Sequence, residues 1–179
     1  SFTVADMTQV KITPHDLILF SYSIGELKDP IEMALKAWEQ TQKYLIIIEP
    51  GTPHAYQELM KIRSALIEIG AYLQSPCPHE NKCPLQGQDW CHFAQRINRH
   101  KVHKLLKEAT LGYEDEKYSY LIFSKIMPIR KSVIIEEPKR HGGHFSLMLC
   151  TAEGIKEEVI TRSDDQYKIL KKAQWGTRI

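Results

Sequence analysis

The chain has 179 residues, 42% apolar and 26% charged, with a formal net charge of +2. That suits one packed domain, or one domain with a small appendage. No run nears the roughly 20 apolar residues of a membrane span, so no membrane partner is expected, and any nucleic-acid affinity must come from local charge clustering.

No signal-peptide pattern opens the chain, which begins at Ser1 and reads as a fragment or a processed form. Residues 2–6 make a short strand-like piece ending in Asp6. The apolar run Asp16–Ser21, bounded by Pro14 and Gly25, predicts a strand buried on both faces of a parallel sheet. Pro30 at a first-turn position, with Ile31, Ala34, Leu35 and Trp38, predicts an amphipathic helix to about residue 42. Tyr44–Glu49 reads as a second buried strand, and Pro50-Gly51-Thr52-Pro53 as the turn out of it. Thr52 is placed to cap a helix carrying Leu59, Ile62, Leu66 and Ile69 and ending at Gly70. Residues 71–74 start another short strand. This β-α-β-α order predicts a doubly wound α/β layer. Ligands of such layers sit at the carboxyl ends of strands, here Ser21–Glu26 and Glu49–Thr52.

Between residues 75 and 92 the pattern changes. Cys77, Cys83 and Cys91 fall here and Cys150 far downstream, spaced C-x5-C-x7-C-x58-C. Pro78 and Pro84 follow two of them and make the stretch unsuited to helix or sheet. Without a secretion signal the cysteines read as reduced thiols, with a metal or cluster preferred over free thiols or disulfides. Structural zinc sites use pairs two to four residues apart. The wider gaps here suit an iron–sulfur cluster. Zinc is the alternative, with His79 and His92 as substitute ligands or simply as neighbours of the site. A fourth ligand from a distant strand would couple metal binding to folding.

A helix is predicted over 89–109. On it Arg96, Arg99, His100, His103, Lys104 and Lys107 follow i, i+3, i+4, i+7, i+8, i+11, one face without an acid. Such a stripe suits contact with nucleic-acid phosphates. After a polar stretch at 113–120, strands are expected at 121–126, 133–135, 144–150 and 158–161, antiparallel to one another. Gly142-Gly143 and Glu153-Gly154 provide turns, and a short helix lies around 165–173. The chain divides into an α/β layer (1–75), a Cys-rich loop with basic helix (76–112) and a β-rich region (113–179).

Several pieces together resemble one family: Asp16–Leu27, Ile48–Pro53, Pro76–His79 with Cys83-Pro84-Leu85, Asp89–Phe93, Tyr113–Lys117, Leu149–Thr151 and Trp175-Gly176. They resemble the methyltransferase-like proteins of the mitochondrial small ribosomal subunit and their bacterial relatives, the group that contains methyltransferase-like protein seventeen. The resemblance covers nearly the whole chain. It implies a class I S-adenosylmethionine-dependent methyltransferase fold, a 4Fe-4S site held by Cys77, Cys83, Cys91 and Cys150, and a role on small-subunit rRNA during ribosome assembly. Ribosomal proteins are implied as further partners. The location implied is the mitochondrial matrix in a eukaryote and the cytoplasm in a bacterium. Ser21, Tyr22, Ser23, Gly25 and Glu26 match the loop after the fourth strand of that fold, beside the cofactor, and Asp6 matches the acid beside the adenine. The sequence departs from the family by lacking the Gly-rich loop of the first strand. S-adenosylmethionine is therefore expected only in a full-length protein, and this chain alone is expected to be inactive.

Three functions follow. The first is an rRNA-binding assembly factor with a four-cysteine cluster. The second is an rRNA methyltransferase active in full-length form, for which no general base stands out. The third is a zinc-stapled interaction domain.

Overall fold

A computed structural model describes residues 4–179 apart from 86, 88 and 109. Most of the expected strands and helices form, and they build two sheets. The first sheet contains β1 (His15–Ser21), β2 (Thr41–Pro50), β3 (Tyr72–Ser75), β4 (Phe93–Asn98) and β5 (Tyr113–Ser124). Its order is β1-β2-β5-β3, with β4 also on β5. Only β1 and β2 are parallel; β5 runs antiparallel to β2, β3 and β4. The layer is therefore a mixed α/β sheet rather than a purely parallel one.

Two helices cover one face of this sheet. α1 (Pro30–Gln40) crosses between β1 and β2, and Asp29 caps it by accepting from the Glu32 amide at 2.8 Å. α2 (Pro53–Glu68) is capped by Thr52, which accepts from the Ala55 amide at 3.2 Å. Proline at the first position of each helix lacks the amide that would otherwise go unpaired there. Met33, Ala34 and Trp38 of α1 and Leu59, Ile62 and Leu66 of α2 pack on Phe20, Leu45, Ile47, Leu121 and Phe123.

The sheet residues between them point the other way. Leu17 and Leu19 are 50% and 52% exposed. The expectation that Asp16–Ser21 is buried on both faces is thus corrected: β1 stands at the edge of the sheet and buries one face. Of the expected strand at 2–6, residues 2 and 3 lie outside the described residues, and Val4–Asp6 form no strand.

The expected helix at 89–109 is also corrected. Phe93–Asn98 is a strand, and only Lys101–Leu106 is helical (α3); Ala109 lies outside the described residues. The polar stretch after it is strand too, because β5 begins at Tyr113 rather than Leu121. The two misreadings share one cause. Phe93 pairs with Tyr118, Arg96 with Asp115 and Asn98 with Tyr113. Cross-strand pairing of opposite charges satisfies this ribbon on an exposed sheet end. It overrides a helical spacing that no long-range contact supports.

The second sheet is antiparallel, with β6 (Val133–Ile134), β8 (His144–Thr151) and β9 (Gly154–Thr161) where strands are expected at 133–135, 144–150 and 158–161; β7 (Lys139–Arg140) is an addition, β9 starts four residues early, and the strand expected at 121–126 is instead the end of β5 in the first sheet. β8 is central, with β6 and β7 along one edge and β9 along the other. α4 (Tyr167–Leu170) places Leu170 against Ile134, Phe145, Leu147 and Leu149. The last residues return beside β6, where Gly176 donates to the Ile134 carbonyl at 2.8 Å.

The loop after β1 is held by a buried acid. Glu49, at the end of β2, is 5% exposed, and its Oε1 accepts from the Ser23 and Ile24 amides at 3.0 and 3.1 Å. A Cβ at Gly25 would stand 2.9 Å from Glu49 Oε2. Gly25→Ala should therefore push the carboxylate off these amides and cost about 1–3 kcal/mol. Urea denaturation measures this; an unchanged midpoint and slope would show that the loop does not depend on Glu49.

Candidate metal centre

β3 and β4 lie along the same edge of β5. β3 faces residues 122–124 and β4 faces residues 113–118. Between them the chain leaves the sheet as the loop 76–92, which carries three of the cysteines. Ser119 Oγ donates to the Cys91 carbonyl at 2.7 Å, and the hydroxyls of Ser75 and Tyr120 are 3.0 Å apart. These bonds pin both ends of the loop to β5. Cys150 comes from β8 of the other sheet, where it faces Val133.

All four cysteines are free thiols; Cys77, Cys83 and Cys150 are buried and Cys91 half-buried. They line one cavity of about 20 Å³, together with Tyr56, Leu59, Leu121, Val133 and Ile135. The cavity sits where the sheets meet, beside an apolar cluster of Phe93, Val133 and Ile135. Thus the structure brings together the four residues that the sequence singles out.

The electrostatics of the cavity resist a bare thiolate. Burial pushes Cys91 well above the ordinary thiol range, and the charges of Cys77, Cys83 and Cys150 push it further. Burial, then Cys77 and Cys83, raises Cys150 to about 12. Cys77 is raised by burial and partly relieved by the nearby Arg63 charge. Several thiolates can coexist here only with a cation to neutralise them, as happens when a soft metal displaces the protons.

Three further side chains adjoin the thiols. Tyr56 donates its hydroxyl to Cys83 Sγ at 3.1 Å. Burial, then the Cys83 bond, holds this phenol far above its ordinary range, so it stays a donor. Arg63 is 3% exposed, and its Nη2 donates to the carbonyls of His79 and Asn81, each at 2.9 Å. It ties the loop to α2 and places a buried positive charge beside the thiols. His79 is buried, with Nε2 3.8 Å from Cys150 Sγ. His92 instead lies between Trp90 and Trp175, with ring centroids at 5.1 and 5.0 Å.

The donor set thus fits a metal group that takes thiolates. Among the described residues, no three His, Cys, Asp or Glu side chains close into the geometry that holds one metal ion.

The basic residues of the expected stripe do not share a helical face. Arg96, on β4, grips Asp115 through two bonds of 2.7 and 2.8 Å and lies 4.1 Å over the Tyr113 ring. Arg99, His103 and Lys107 converge on Glu114 at 2.7, 3.4 and 3.2 Å. His100 and Lys104 are exposed and form no ion pair among the described residues.

The residues matched to a cofactor loop are also dispersed. Gly25 and Glu26 line a cavity of about 250 Å³ with Glu49, Thr52, His54 and Glu58. This cavity joins both carboxyl-end loops. Ser23 gives its amide to Glu49, and Ser21 is an exposed strand end. Tyr22 instead donates to Glu116 at 3.1 Å, and burial followed by that bond raises its phenol to about 12. Asp6 accepts from Thr8 and Gln9 in a turn of its own.

The hydrogen bond from Arg99, then that from Lys107, holds Glu114 below the ordinary glutamate value. A carboxylate lowered on folding stabilises the fold above its unfolded value, and that contribution fades as pH falls toward its folded value. Glu114→Gln should therefore flatten the acid limb of a stability-against-pH curve and leave its alkaline limb unchanged. An acid limb identical in both proteins would show the network to be energetically idle.

Residues 3–179 match the family described as mitochondrial small ribosomal subunit Rsm22. The chain is 25% identical over 180 residues to the human "Ribosome assembly protein METTL17, mitochondrial". The match covers 90% of this chain and 38% of the relative, so the chain spans about two fifths of that protein's length. With nearly every residue inside the family match, the chain belongs to the Rsm22 family of the mitochondrial small ribosomal subunit.

Proposed function

We propose that this chain is part of a small-ribosomal-subunit assembly factor that binds rRNA and carries a 4Fe-4S site on Cys77, Cys83, Cys91 and Cys150. One observation carries the reading: four cysteines from two sheets line a single buried cavity in a chain of this family. Ribosomal proteins are the further partners. The place of action is the mitochondrial matrix in a eukaryote and the cytoplasm in a bacterium.

When bound, the group supplies several metal centres that accept thiolates, and its role here is structural. The work of this chain's own residues follows from their positions. The loop cysteines and Cys150 would hold the group as thiolates, their protons leaving to solvent. Tyr56 keeps a proton on its hydroxyl and orients Cys83. Arg63 offsets part of the accumulated negative charge. A cluster is preferred over zinc because the sequence gaps between the cysteines are wider than the short pairs of structural zinc sites.

A second reading is an rRNA methyltransferase in full-length form. It is supported by the parallel β1–α1–β2 unit and by the cavity at its carboxyl end. Glu49 does not serve it as a base, since its carboxylate holds the loop backbone. S-adenosylmethionine would need residues from elsewhere in a longer protein.

Anaerobic purification with iron, sulfide and zinc analysis tests the metal. The expected result is a brown protein with about four iron and four labile sulfide per chain. Colourless protein with one zinc would replace the cluster by zinc, and protein without either would remove the metal reading. Cys150→Ser should abolish iron retention and lower the melting temperature by roughly 5–10 °C, at ~2–4 °C per kcal/mol for a domain of this size. A small-subunit rRNA fragment should bind the full chain, and more weakly as salt rises.

A further inference from the structure

The tip joining β7 to β8 reads Lys139-Arg140-His141-Gly142-Gly143-His144, exposed throughout. It is bound to two neighbouring segments. Arg162, just past β9, donates to the Gly142 carbonyl at 2.7 Å, and His144 faces Thr161 across the ladder. Arg140 donates to the carbonyls of Lys171 and Ala173, after α4. Lys139, Arg140, Arg162, Lys168, Lys171 and Lys172 therefore belong to one end of the second sheet.

Six cations lie around this end, Lys139 and Arg140 on opposite faces of β7. The acids flanking these cations in the chain are Glu136, Glu137, Asp164 and Asp165, which leaves an excess of two at this end, as large as the net charge of the whole chain. Asp164 is already bound to Thr161, at 2.6 Å from its amide. The bonds found on Arg140 and Arg162 go to backbone carbonyls, which leave the guanidinium charge uncancelled. No ion pair engages any of the six among the described residues. In contrast, Arg96, Arg99 and Lys107 spend their charge on acids of β5.

The two glycines have no explanation inside the fold. Neither adopts the left-handed backbone that calls for glycine, and a Cβ on either would meet nothing within 4 Å. Glycine remains useful where a ligand approaches the main chain itself. The stacked rings of His141 and His144, with centroids 4.7 Å apart, stand at the same tip. Imidazole faces of this kind can take an unstacked base.

We propose that this end of the second sheet is an RNA-binding surface, with Lys139, Arg140, Arg162, Lys168, Lys171 and Lys172 meeting phosphates and Gly142-Gly143 admitting the RNA backbone. RNA fits better than a flat anionic membrane. The cations surround a narrow turn with bare main chain and exposed ring faces, and the turn 139–144 itself exposes no apolar side chain, Ile169 on α4 being the one exposed beside its lysines. The inference rests on the rRNA-binding reading above and is independent of the metal.

Fluorescence anisotropy of the full chain with a small-subunit rRNA fragment tests it. Lys139→Ala/Lys171→Ala/Lys172→Ala should weaken binding at least tenfold and reduce the log–log salt slope by about 2. Gly142→Ala/Gly143→Ala should keep or raise the melting temperature and still weaken binding several-fold. Unchanged affinity and slope in the lysine variant, with RNA bound by the parent chain, would overturn this surface and leave the rRNA-binding reading standing. No binding by the parent chain would remove both. Vesicles of phosphatidylcholine and cardiolipin provide the contrasting arm: binding lost in the lysine variant while RNA affinity is kept would assign the surface to lipid instead.

Discussion

Two sheets of different construction meet at a place that neither could build alone. The meeting point is a small apolar cavity walled by sulfur, with three thiols from the loop between β3 and β4 and one from β8. Each thiol is buried or half-buried, and burial raises those of Cys77, Cys91 and Cys150. The site is therefore neutral while protonated and strongly repulsive if its thiols ionise without a partner. Among the described residues, Arg63 is the one buried cation beside these thiols. Its position on α2, with Tyr56, makes the first sheet's helix layer part of the wall.

β5 links the parts. Its inner half completes the core through Leu121 and Phe123, its middle anchors the loop ends through Ser119 and Tyr120, and its outer half carries Glu114 and Asp115. One strand thus serves three environments, from dry core to charged surface. The same gradient explains its composition, which shifts from Tyr-Glu-Asp-Glu to Leu-Ile-Phe along its length.

Much of this was legible in the residues, and the exceptions have physical causes. Capped helices with proline at their first turn were plain, and so were runs such as Leu45–Ile48. The convergence of the cysteines was legible as a spacing. Three features were not. The ribbon at 93–98 imitates a helical charge period, and only the acids of a strand twenty residues on reveal its pairing. The burial of Glu49 comes from its two amide partners, which are non-local. Tyr56 and Arg63 were within reach, since 56, 59, 63 and 66 recur at three and four residues on one helical face. Reading that face as apolar only hid the polar pair among its leucines.

The open flank of β1 carries its own consequence. Its outer edge has no partner among the described residues, and Leu17 and Leu19 point away from the helices. A register shift between His15 and Leu17, and the ion pair of Asp16 with Lys43 at 2.6 Å, blunt its first turn of residues only. Such devices discourage stray strand pairing, and beyond them the edge is unguarded. Those two leucines add little to the stability of this unit. The outer side of β1 is thus a short apolar ribbon with free backbone groups, the one flank of the first sheet at which a further strand could add without displacing anything seen among the described residues.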